Sequence, residues 1–551
     1  MRREPLPSEL EVVKGIYSHR DDHKNPLVFW KSPKSQIDPG VLDKLSSYGA
    51  VRYIAPMVFH PDREIASKAI ERISELLGQV PQHQLSWLDE SIRSQYYCCS
   101  GRAWAKQWYQ ADESFVRSLD LPQEQLETVL VLLVSHNNGY VRSASLQRLS
   151  EVNEILALKM AFIRANDWVY DISSLAFGLI GKLLDNLSPS QSTQFLHLVQ
   201  QLQHKKRRNL QPILDGIELG LKSEEGISTL LETLDSAELH LARSAFGVLK
   251  RIDGVKLRVI KRSCYHKDIV IRTGALKLAM SLQDRSEQLA WLKLFSGDTY
   301  APIRKRAMYA IAEQFPEESM AVMMNNLTHI NRSVREVARF YIRRQAAFDL
   351  PGYYRERLES DERCMSVGAV LGLSESGQGV DWREIEKLPA RDDPKFRGAV
   401  VIAARNLGAK SQQWFMEKVR NGCPAEVREA KIALLGKSVS LLDELLSLHQ
   451  ELHDLFRLRA VRNIIREQDR WVYLIALLQS LILEIPERYS MDTCDIAEWW
   501  KANSKQNWFT KPPESLLEEI LDLTNTALDK KPQNTFLIQI KDLINLLQGI
   551  D

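Results

Sequence analysis

Two imidazoles stand four residues apart in His449-Gln450-Glu451-Leu452-His453. On a helix this spacing puts both rings on one face, as zinc-binding protease helices do. The glutamate is misplaced for either direction of that motif, and no third ligand lies nearby, so no metal is expected. A second cluster, Asn166-Asp167-Trp168-Val169-Tyr170-Asp171, sets an indole about one turn from a carboxylate. That pair offers stacking plus an acid, or equally a packed indole and a helix cap. The run His204-Lys205-Lys206-Arg207-Arg208 could contact phosphates or serve as a targeting signal, or be a solvated turn between helices. Cys98 and Cys99 are neighbours, but the six cysteines contain no C-x-x-C pair, so zinc spacing is lacking and buried, inert thiols are expected. Gly372 and the glycines at 377 and 379 are irregularly spaced and no G-K-S/T follows, so no phosphate loop is present. The reading is a non-enzyme with no cofactor and no small-molecule substrate.

Composition supports an ordinary water-soluble chain. Of 551 residues, 44% are hydrophobic and 26% charged, which supplies ample apolar surface for a core. A net charge of +2 does not mark a dedicated nucleic-acid binder, although local patches can still be basic. The first residues lack the apolar stretch of a secretory signal. The most apolar late run, Trp471 to Ile485, falls short of the ~20 residues a spanning helix needs. Sparse cysteines fit a reducing compartment, and a cytoplasmic location without membrane contact is expected.

The elements that must carry any binding residues are helices. Asp38-Pro39-Gly40 and His60-Pro61-Asp62 each read as a helix start, and Ile65, Ala69, Ile70, Ile73, Leu76 and Leu77 follow helical spacing. Helices fit 87–95, 104–109, 122–134, 514–529 and 534–548. The last should bury a stripe of Phe536, Ile540, Leu543, Ile544 and Leu547. A ruler runs through the chain: Arg304, Arg335, Arg397, Arg428 and Arg459 are spaced by 31 residues or twice that, and Ser366 fills the skipped mark. Ile303, Val334, Met365, Phe396, Val427 and Leu458 precede the marks, and an alanine follows three residues later at Ala307, Ala338 and Ala369. Asp268-Ile269-Val270-Ile271-Arg272 with Ala275, and Tyr140-Val141-Arg142, repeat the phrase. The acid or amide caps a helix, the apolar residue and alanine share its buried face, and the arginine offers a fork of donors to the adjoining unit. A fixed period of 20–50 residues marks stacked helical pairs.

This phrase, Asp/Asn-x-x-Val/Ile-Arg-x-x-Ala, resembles the HEAT-repeat family, in its short form of about 31 residues, and the resemblance is firmest from Asp268 to Arg459. It implies an all-α fold, an α–α superhelix (HEAT-like solenoid), and binding far more often than catalysis. Atypical helical caps are expected at both ends: 1–115 and 491–551, flanking a repeat array over 116–490. The ladder would comprise Arg272, Arg304, Arg335, Arg397, Arg428 and Arg459. The expected function is a non-catalytic scaffold or adaptor that binds a protein partner through the concave face, within a multi-protein assembly. Lys305, Arg306, Arg343 and Arg405 are the candidate partner-binding residues, because columns one and eight steps past the marks mix charges and small residues. The alternative is a nucleic-acid binder using Lys205, Lys206, Arg207, Arg208, Lys261 and Arg262. A third reading rests on the resemblance of Trp168 and Asp171 to the base-recognising pair of HEAT-like DNA glycosylases; it requires both in one pocket.

Overall fold

The structure, a computed structural model, describes residues 4–18, 38–81, 84–94, 103–203, 208–345, 347–359, 363–435, 442–504 and 512–549. Among these, every regular element is an α- or 3-10 helix, and no strand occurs. The chain divides into two units, Met1–Gln288 and Leu289–Asp551, and the boundary falls inside the helix Arg285–Phe295. The sequence reading instead ran one array through that point.

In the first unit, antiparallel helix pairs follow one another: Gln123–Val134 with Gly139–Val152, Glu154–Ala165 with Tyr170–Leu183, Pro189–Gln203 with Gln211–Gly220, Glu224–Thr233 with Leu239–Leu249, and Lys256–Ser263 with Ile269–Met280. The N-terminal part is less regular. After the helix Pro7–Ser18, Asp38 caps a short 3-10 turn, Pro39–Lys44, where a helix was expected, and the next long helix is Arg63–Gly78. In the second unit the pairs include Pro316–Asn326 with Arg332–Gln345, Leu350–Arg355 with Arg363–Ser376, Gln412–Asn421 with Pro424–Leu434, and Leu442–Glu451 with Leu455–Gln468. The short helix Trp382–Glu386 precedes Pro394–Asn406. The ends are Glu514–Lys530 and Thr535–Gln548, packed on each other. On the last helix Leu537, not Phe536, joins Ile540, Ile544 and Leu547 in the buried stripe.

One local module starts the second helices. It reads His-x-Asp/Asn-x-x-apolar-Arg and occurs at His136–Arg142, His266–Arg272 and His329–Arg335. The imidazole Nδ1 accepts the N–H two residues on, from Asn138 (3.0 Å), Asp268 (2.9 Å) and Asn331 (2.9 Å). Accepting there leaves the proton on Nε2. His136 and His266 donate it to carbonyls of the preceding pair, Trp108 (2.6 Å) and Leu234 (2.8 Å). The Asp or Asn then caps the helix, accepting from Tyr140, Val270 and Ser333. Finally the arginine returns to the carbonyl of the histidine six residues back: Arg142 at 2.9 Å, Arg272 at 2.7 Å and Arg335 at 2.5 Å. Arg304 makes the same reach to the carbonyl of Asp298 (2.8 Å), and bonds Asn326 Oδ1 (3.0 Å). In each of these loops the arginine thus satisfies a backbone carbonyl where two pairs meet.

Two ladder positions depart from expectation. Arg428 and Arg459 are exposed. The carbonyl of Gly422, which Arg428 would reach, accepts instead from Arg457 of the next pair (3.1 Å). Arg488 likewise fills the carbonyls of Gln450 (3.1 Å) and Leu452. Late in the chain, then, loop carbonyls are closed from the following pair rather than from within. Arg397 bonds Glu426 (2.5 Å), and at the skipped mark Ser366 is buried and accepts from Arg391 (2.9 Å).

Buried charge is concentrated in a few clusters. Arg142 forks onto Asp167 (3.1 and 3.2 Å), Arg164 joins the same carboxylate (2.7 Å) and reaches Asp89, and Arg93 also bonds Asp89 (2.8 Å). Burial pushes the Asp167 carboxyl up, but Arg164, the Val169 amide and Arg142 outweigh it and hold it below its ordinary value.

Two predictions follow from these contacts. Arg335→Met leaves Glu375 facing one guanidinium instead of two and opens a loop carbonyl, so urea denaturation should register a loss of about 3 kcal/mol; Arg459→Met should stay within about 0.5 kcal/mol of wild type. Burial holds the His136 imidazole at about 4, well below 6.5, with Arg142 adding to the depression. The unfolded chain therefore binds a proton that the folded chain refuses between pH 6.5 and 4, and stability falls as pH drops through that window. Between pH 6.5 and 5, His136→Asn should lose about 2 kcal/mol less than wild type in paired urea melts.

Candidate interaction face of the second unit

The face worth weighing is built by three consecutive second helices: Arg332–Gln345, Arg363–Ser376 and Pro394–Asn406. The middle one is recessed. Every residue from Ser366 to Ser374 is buried. Small residues explain this depth. A Cβ on Gly368 would lie 1.6 Å from the Thr328 carbonyl oxygen, and one on Gly372 would lie 2.2 Å from the Tyr354 ring. Only a bare backbone can sit so low.

Two clefts open over this floor. The first, about 570 Å³, is lined by Arg332, Glu336, Arg339, Phe340, Arg343 and Arg344 on one wall, and by Ser374, Glu375 and Asn406 opposite. The six wall residues share one helix face at i, i+4, i+7, i+8, i+11 and i+12. Beneath them, Arg335 forks onto Glu375 (3.0 and 2.5 Å) and Arg339 bonds the same carboxylate (2.6 Å). These three side chains are each at least nine-tenths buried. Arg332 pairs with Glu336 (2.8 Å). Arg344 stacks over Phe340, which is 52% exposed, and Tyr341 bridges edge-on to Phe340 and to Tyr309.

The second cleft, about 300 Å³, is apolar at its base: Val367, Leu371, Gly398, Ala399, Ile402 and Ala425, with Lys395, Arg428 and Glu429 around it. Val367, Gly398 and Glu429 belong to the one-step column of the sequence reading, and Arg343 and Ser374 to the eight-step column. Arg405 is half-buried and lies 3.5 Å from Glu429. Lys305 is half-buried and Arg306 exposed on the neighbouring helix Ala301–Gln314.

A third cleft, about 560 Å³, lies near Trp382, Phe396 and Trp414. Its cations are already satisfied. Lys410 bonds Glu386 (2.8 Å), Lys418 and Arg397 bond Glu426 (3.1 and 2.5 Å), and Arg391 bonds Ser366. The charges there hold the fold.

The other sequence candidates are scattered. Lys205, Lys206 and Arg207, like Cys98 and Cys99, lie outside the described residues. Arg208 stacks over Tyr170 at 5.1 Å. Lys261 and Arg262 sit on a first helix, Lys256–Ser263; Arg262 pairs with Asp235 and its neighbour Arg258 with Glu224 (2.6 Å). Trp168 is 71% exposed and Asp171 is exposed. The buried acid of that stretch is Asp167. The two imidazoles of the metal-like spacing also part. His449 is buried in the helix Leu442–Glu451 and accepts from Arg462 (3.0 Å), whereas His453 lies past the helix end and is exposed. Burial, then Arg462 and Arg488, push His449 down to about 3, so it is neutral. Among the described residues no group of three or more His, Cys, Asp or Glu could hold a metal, and no helix is long and apolar enough to cross a membrane.

No family model matches the chain, and no curated protein matches it. Among solved structures, a crystal structure of importin beta in a polyethylene glycol condition aligns over 90% of this chain and 82% of that one, at 9% identity and a TM-score of 0.32.

The recessed floor yields a direct prediction. Gly368→Ala must lift its helix off Thr328, costing about 2 kcal/mol in a urea melt and raising deuterium uptake across 363–376. An unchanged melt and uptake would mean that the close approach is not enforced.

Proposed function

We propose that this chain is a non-catalytic scaffold that holds a protein partner against the second-helix face of its second unit, as one component of a multi-protein assembly in the cytoplasm. The observation that carries this reading is the recessed helix Arg363–Ser376, with a polar, arginine-rich cleft and a small apolar cleft side by side above it. Mixed chemistry of this kind, with an exposed aromatic residue and arginines near apolar hollows, suits a polypeptide surface. Lys305, Arg306, Arg343 and Arg405 are the sequence candidates on or beside this face. A phosphate-tracking groove calls for consistent unpaired Lys and Arg, because its affinity comes from counterion release. Here Glu336, Glu375 and Glu429 stand among the cations.

Nucleic-acid binding is the second reading, and one observation favours it. In the first unit Tyr140, Trp168 and Tyr170 are strongly exposed, with Arg208 stacked on Tyr170, and exposed rings beside a cation can stack bases.

A photo-crosslinking amino acid placed at Phe340 or at Ile402 should link to partner polypeptides in cells, while one at Glu317, on a first helix, should not. Phe340→Ala combined with Arg343→Glu should weaken the captured complex roughly tenfold or more with the melt unchanged. Equal crosslinking from both faces would overturn the reading. A mobility shift of single-stranded DNA with steep salt dependence, lost in Trp168→Ala, would favour the second.

A further inference from the structure

The arginine-rich cleft has more positive charge than its own acids can balance. Arg335 and Arg339 converge on a single carboxylate, Glu375, and all three side chains are withdrawn from water. A buried group of two cations and one anion retains a net positive charge where solvent screens it poorly. Above it, Arg343 and Arg344 are exposed and neither has an ion-pair partner among the described residues. Including Arg332, five guanidinium groups face two carboxylates, Glu336 and Glu375. The contrast with the cleft near Trp382 and Trp414 is instructive, because there each cation already has a partner in the fold.

We propose that this cleft recognises an acidic segment of the protein partner, one carboxylate side chain entering between Arg339 and Arg343 while an apolar or aromatic neighbour packs on Phe340. This rests on the scaffold reading above. The chemistry fits at three points. A guanidinium fork matches a carboxylate in two parallel hydrogen bonds. Phe340 offers an apolar plane already flanked by Arg344, so an aromatic side chain gains both ring and cation contacts. The adjoining hollow over Val367, Leu371 and Ile402 takes a further apolar side chain of the same segment. A phosphate backbone fits less well. Its evenly spaced charges would meet Glu336 and Glu375 in this cleft and the apolar floor of the next.

The test uses the full chain and four fluorescent probes in anisotropy titrations: a peptide alternating Asp or Glu with Phe or Leu, its Asn/Gln counterpart, its Lys counterpart, and oligothymidylate. The acidic peptide should bind roughly tenfold or more tighter than the neutral one. R343E/R344E should abolish that preference, and both substitutions lie on exposed side chains, so the melt should hold. Equal binding of acidic and neutral peptides, or no binding of either, overturns the acidic preference. If all three peptides bind equally and Phe340→Ala weakens them all, the preference falls while the scaffold reading stands. If only oligothymidylate binds and R343E/R344E removes it, both fall.

Discussion

Everything in this chain depends on how a loop between two helices disposes of its carbonyl oxygens. A stacked pair brings its loops against the next pair, where water cannot reach every polar group, and an unmet carbonyl there is costly. One guanidinium answers several at once. Arg142 takes the carbonyls of His136 and Asn137 while forking onto Asp167, and Arg304 takes those of Gly297 and Asp298 while reaching Asn326. A lysine has no such planar fork. Two of the module's histidines serve the same end: His136 and His266 each accept one N–H and donate to one carbonyl across the junction.

The interaction face is a by-product of the same arrangement. Where the ruler reads Ser366 instead of arginine, the same helix carries glycine at 368 and 372, and sinks against Thr328 and Tyr354. The neighbouring helix keeps its arginines, and two of them, Arg335 and Arg339, turn toward the acid at the end of the sunken helix, Glu375. A missing rung thus makes a hollow, and the flanking rungs supply its charge.

The repeat was legible in the sequence because its key contact is local. An arginine bonding a carbonyl six residues back, as at Arg142, Arg272, Arg304 and Arg335, needs one short stretch of sequence however the pairs are arranged in space. What could not be read were partners at variable distance. Asp167 lies 25 residues from Arg142, and Glu375 lies 40 from Arg335. The histidine of the module was legible in principle, since His136, His266 and His329 each stand two residues before the cap. Arg428 and Arg459 keep the period without the contact, because periodic residues do not require periodic contacts. The Gly422 carbonyl is served by Arg457, and Arg488, 31 residues further on, bonds those of Gln450 and Leu452; these two arginines were a second ruler in plain sight. The departure at Trp168 is of another kind. An indole beside an acid suggests either a core or a pocket, and here it stands in solvent.

The depth of the helix Arg363–Ser376 also restricts how this surface can diversify. Its floor admits no side-chain growth at 368 or 372 without moving a backbone or an aromatic ring. The exposed positions of Arg332–Gln345, in contrast, carry chemistry that packing does not dictate. A lineage acquiring a new partner would therefore rewrite the walls and leave the floor alone. Related chains should show a glycine-bearing helix of nearly fixed sequence beside one whose outward residues vary freely.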